Sequence, residues 1–128
     1  MESNEEREHS QMLMAYQNKR GGRVELDISS RPPSEFKSNE PKSYALEAVE
    51  LALITEKVNY SKLLRLHTIA EKNNDVSLAG FVEGHLLSYQ VESIKRIAQM
   101  TSQLRRAGGG VGVILFDMAL NESLDRPN

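Results

Sequence analysis

Over positions 43 to 74 a seam of side chains recurs at alternating steps of three and four: Leu46, Val49, Leu53, Glu56, Tyr60, Leu63, His67 and Ala70. That spacing gathers residues onto one face of an α-helix. At about 1.5 Å rise per residue a helix of this length spans roughly 48 Å, which belongs to a bundle of long helices. Every member of the seam is apolar or aromatic except Glu56 and His67.

The rest of the chain supplies partners for that helix. A first helical segment occupies residues 1–21, with Lys19 and Arg20 complementing the macrodipole in its last turn and Gly21 and Gly22 as its stop. Residues 23–41 hold Pro32, Pro33 and Pro41 and read as an irregular crossover, with short extended pieces around Val24 to Ile28. A break at Asn73, Asn74 and Asp75 leads into one further helix over 76–107, for which Asp75 is the expected N-cap. Leu86, Gln90, Ile94 and Ile97 are on its inner side. Gly108, Gly109 and Gly110 end it, and residues 111–120 form a short helix, apolar nearly all round, that needs burial in an oligomer. The expected fold is all-α, in one domain over 1–128.

Composition narrows the functions open to such a chain. Aromatic residues make up 5% of it, and β-branched residues form no alternating runs, which disfavours a sheet. A net charge of -2 gives no broad attraction for nucleic acid or an anionic membrane, so neither is an expected partner. With no cysteine, disulfides and thiolate metal sites are excluded, and any metal site must use Glu, Asp, His and similar ligands. No stretch approaches the roughly 20 apolar residues of a membrane span, and the acidic start MESNEEREH is unlike a targeting segment.

Polar residues on the apolar faces are the candidates for chemistry. Glu6 and His9 align with Leu13 and Tyr16 on the first helix; Glu56 interrupts the long seam, and Gln90 stands on the inner side of the third helix. A buried carboxylate must be protonated, paired with a cation, or bound to metal. Glu oxygens and a neutral imidazole suit iron, manganese or zinc, and Glu-x-x-His puts both groups on one helical face. Glu6-Arg7-Glu8-His9 is such a pair; Gln90 is followed at i+3 by Ser93, so no second pair exists there. The bland alternatives are a solvated face for Glu6 and His9, an ion pair of Glu56 with Lys57 or Arg96, and a satisfied core amide for Gln90. His67 is eleven residues from Glu56, roughly 16 Å along the axis, too far to share a metal with it.

NEEREHSQMLMAYQNKRGGRV, ALEAVELALITEKVN, DVSLAGFVEGHLLSYQVESIKRI and QLRRAGGGVGVILFDMAL, in this order from Glu5 to Leu120, resemble the ferritins. PSEF in the crossover and the GVILFDMAL ending look closer to plant-type members. The resemblance implies a ferritin-like four-helix bundle with a short fifth helix, assembled as 24 subunits, homo- or hetero-oligomeric, into an iron-storing cage. It also implies oxidation of two Fe(II) by dioxygen at a di-iron ferroxidase centre. Glu6, His9 and Glu56 match iron ligands of that centre, with Glu6 as the bridging carboxylate, and Gln90 matches a residue that positions oxygen or water. His67 and Glu83 match residues lining the iron channel.

Three departures follow from the same comparison. Gly80 stands where the channel usually has Asp, and Tyr89 where heavy-type subunits commonly have Glu. The family's first helix, with its iron-binding Glu, and the front of its second helix have no counterpart, so the residues 1–21 correspond to the end of the second helix. The expectation is a partial or truncated subunit whose exposed apolar seams need partners. The implied compartment is the plastid for a plant-type chain, otherwise the cytoplasm. Two alternatives stay open: a non-catalytic shell subunit that co-assembles with intact chains, and a small helical interaction protein.

Overall fold

In the computed structural model, residues 2–26, 41–107, 112, 114 and 116–118 are described. They form two compact units, 1–35 and 36–128. Among these residues there is helix, turn and coil but no strand.

The first unit contains α1, Glu2–Lys19. Glu6, His9, Leu13 and Tyr16 are all half-buried along it, while Arg7, Glu8 and Gln11 are exposed. Its C-terminus closes as a Schellman turn: Gly22 N donates to Gln17 O at 2.9 Å and Gly21 N to Asn18 O at 3.0 Å. Gly21 carries φ 79°, a conformation in which a Cβ would crowd the following carbonyl. Residues 22–26 continue without regular structure; the crossover expected over 23–41 lies mostly outside the described residues.

The second unit is built on α2, Pro41–Lys72, the long helix that the seam predicts. Starting at Pro41 is harmless, because the first-turn N–H it lacks has no intrahelical partner anyway. Every seam position from Leu46 to Ala70 is half-buried or buried. The helix ends in a second Schellman turn, with Asp75 N donating to Ala70 O at 2.9 Å and Asn74 N to Glu71 O at 3.0 Å. Here Asn74 supplies the left-handed residue at φ 54°. Asp75 then caps the next helix, its Oδ1 accepting from Leu78 N at 3.0 Å.

The helix expected over 76–107 is not uniform. It comprises α3, Val76–Val82, a π-helical turn over Glu83–Leu87, and α4, Ser88–Arg106. Val82, Leu86, Gln90, Ser93, Ile97, Thr101 and Leu104 form its buried face. The first two steps along that face are both four residues long. In an α-helix eight residues overshoot two full turns by roughly 80°, which would put Val82 and Gln90 at opposite edges of the buried stripe. The wide turn absorbs the surplus residue, and Ser88 Oγ donates to Glu83 O at 3.1 Å, satisfying a carbonyl inside it.

α2 packs against α3, the π turn and α4. Val82, Leu86, Ile97 and Leu104 are the most deeply buried large side chains, each contributing about 1.5–3 kcal/mol. Arg105 closes one end, its Nε and Nη2 donating to Glu50 Oε1 at 3.1 and 2.6 Å. Of the expected fifth helix, Gly112, Ile114 and 116–118 are helical; its remainder lies outside the described residues.

Candidate metal centre

Two of the expected site residues meet in the second unit. Glu56 and Gln90 are 9% and 4% exposed, and 34 positions separate them in sequence. The Gln90 amide nitrogen donates to the Glu56 carboxylate at Oε2 and also to the Glu56 main-chain carbonyl, at 3.2 Å. A buried carboxylate oxygen would be costly without such a donor. Ser93, one turn further on the same face, is also buried, and Arg96 Nη2 approaches its Oγ at 3.5 Å.

The other pair belongs to α1. His9 Nδ1 stands 4.0 Å from Glu6 Oε1, and the His9 side chain is the more buried of the two, at 17% against 44%. The i, i+3 spacing places both groups on the half-buried stripe. A carboxylate beside an imidazole, as in Glu6 and His9, suits iron, manganese or zinc. Each pair offers two polar groups; among the described residues, no group of three or more His, Cys, Asp and Glu side chains is arranged to hold a metal ion.

A third cluster brings the channel candidates together. His67 Nε2 lies 3.9 Å from Glu83 Oε2, and its Nδ1 lies 3.5 Å from Glu71 Oε2. Glu71 was not singled out from the sequence, although its i+4 spacing from His67 was available as a signal. Both carboxylates are exposed, at 62% and 75%. Gly80 is exposed, and a Cβ added there would meet nothing within 4 Å, so the usual acidic residue would fit. Tyr89 is exposed.

The contacts Glu83–His67, Gln90–Glu56 and Arg105–Glu50 advance along one strand of the pairing as they retreat along the other, so the two long helices are antiparallel. Long antiparallel helices packed along their apolar faces define a helix-bundle protein. The ferritin-like domain profile matches residues 1–107, and the chain belongs to the ferritin family.

Its relatives are plant chloroplastic ferritins. Ferritin-3, chloroplastic, of Glycine max is 55% identical over 118 residues, covering 92% of this chain and 46% of that protein. Ferritin-3, chloroplastic, of Arabidopsis thaliana is 55% identical over 116 residues, covering 91% and 44%. A crystal structure of ferritin from the multicellular green alga Ulva pertusa superposes with a TM-score of 0.85 at 56% identity, covering 94% of this chain and 61% of that one. The chain thus spans about half the length of the curated relatives it matches. No helix among the described residues is long and apolar enough to cross a membrane.

Proposed function

We propose that this chain serves iron storage, with Fe(II) and dioxygen as substrates and a ferric mineral as product, as part of an oligomeric cage of plastid type. Glu6, His9 and Glu56 are the proposed iron ligands, and Gln90 serves them. The supporting observation is the buried Glu56, a carboxylate set in an apolar seam with the neutral Gln90 amide as hydrogen-bond donor. Hard anionic oxygens favour Fe(III) over Fe(II) and so assist the loss of one electron from each of two irons to dioxygen. His67 and Glu83 form the proposed channel lining, where exposed acidic groups raise the local cation concentration.

Aerobic addition of Fe(II) to the purified chain, followed by ferric absorbance, tests this reading. Oxidation above the protein-free rate that falls at least tenfold in Glu56→Ala is expected. A rate equal to the protein-free control overturns catalysis by the chain alone.

The second reading, a non-catalytic shell subunit, draws support from the described residues, among which no three His, Cys, Asp and Glu side chains are arranged to hold a metal ion. It predicts no oxidation by the chain alone, together with recovery of the chain in cages formed with intact ferritin subunits.

A further inference from the structure

We propose that the outward face of α2 is a docking surface for a second copy of this chain, the two α2 helices lying antiparallel about the level of Glu56. Glu56 and the seam around it point toward α4, where Gln90 meets Glu56. At roughly 100° per residue, Leu51, Ile54 and Val58 stand within roughly 40° of the opposite direction. Ile54 is 60% exposed, Val58 45%, and Leu51 is half-buried. A bundle helix that covers the Glu56 side leaves this face bare.

The charges on the same stripe select the occupant. Glu47 and Arg65 each stand nine residues from Glu56, one before and one after, and nine residues are two and a half turns, so both point directly away from it. In an antiparallel pair centred on the level of Glu56, residues equally far before and after that level face one another. Ile54 then meets Val58, Glu47 meets Arg65, and Lys62 meets Glu50, which also holds Arg105. Because the pair has a two-fold axis, each of these contacts is made twice. No like charges face each other in this register, whereas a parallel pair would set Glu47 on Glu47 and Arg65 on Arg65. The stripe is thus complementary to itself in one orientation.

Helix axes 8–10 Å apart, with a Cα radius of about 2.3 Å, leave roughly 4–6 Å between facing Cα atoms, a gap a disulfide spans. The chain has no cysteine, so introduced thiols report on this contact alone.

Full-length Ile54→Cys chain mixed with Val58→Cys chain under oxidised glutathione should form at least about tenfold more mixed disulfide dimer than Ile54→Cys chain mixed with Lys72→Cys chain, whose thiol is exposed at the far end of the same helix. Glu47→Arg in both chains should lower the Ile54–Val58 yield by at least about tenfold, and adding Arg65→Glu should restore it. Equal yields at Val58 and Lys72, which leave the face to another protein or to a helix of an intact subunit, overturn the proposal. So does a yield that Glu47→Arg leaves unchanged, or one that Arg65→Glu fails to restore. The cross-link needs no iron, so its outcome is independent of the iron-storage reading.

Discussion

Gly21 and Asn74 occupy equivalent places at the ends of two helices, and both ends are legible in the sequence. Glycine after a basic last turn is a strong terminator by composition, whereas Asn73-Asn74-Asp75 reads as a break without showing which residue turns left-handed. The left-handed conformation at Asn74 follows from the hydrogen bonds that reverse the chain, with Asp75 both completing one turn and capping the next helix. Gly21→Ala is expected to destabilise the fold by about 1 kcal/mol, through the Cβ penalty at positive φ, as a lower midpoint of thermal unfolding. Gly80→Ala should act in the opposite sense. Gly80 is within α3, the added methyl meets nothing, and the gain in helix propensity is about 0.5–1 kcal/mol.

The third long helix holds the main difference between expectation and structure. Leu86, Gln90, Ile94 and Ile97 were visible as its inner side; the structure adds Val82, four residues before Leu86 as Leu86 is before Gln90. These two steps mark a surplus residue. Deleting Gly84 leaves a step of seven from Val82 to Gln90, within roughly 20° of two full α-turns, so the buried face survives. That deletion should change stability by less than about 1 kcal/mol. Deleting Gln99 instead rotates Thr101 and Leu104 by roughly 100° out of the buried face and should cost about 2 kcal/mol or more. Circular dichroism melts of the two deletions compare them directly; equal losses would contradict the assignment of the surplus to the π turn.

Across the molecule, apolar side chains remain uncovered: Ile54 and Val58, one turn apart on α2, are 60% and 45% exposed, and Val91 on α4 is exposed too. Surfaces of this kind mark association. The 14.4 kDa chain should therefore sediment as a larger particle, and replacing Ile54 and Val58 together by Lys should shift it toward the monomer. Much of this protein was determined by its residues alone. The all-α class, the long helix and the candidacy of Glu6, His9, Glu56 and Gln90 all follow from periodicity, from polar residues out of place on apolar faces, and from likeness to ferritins. Local spacing carries such information because a helix is a local structure. The pairing of Glu56 with Gln90, of His67 with Glu83, and of Glu50 with Arg105 was decided only when the helices packed. Partners 34 or 55 positions apart meet through the phase and direction of whole helices, and one extra residue in a single turn is enough to set that phase.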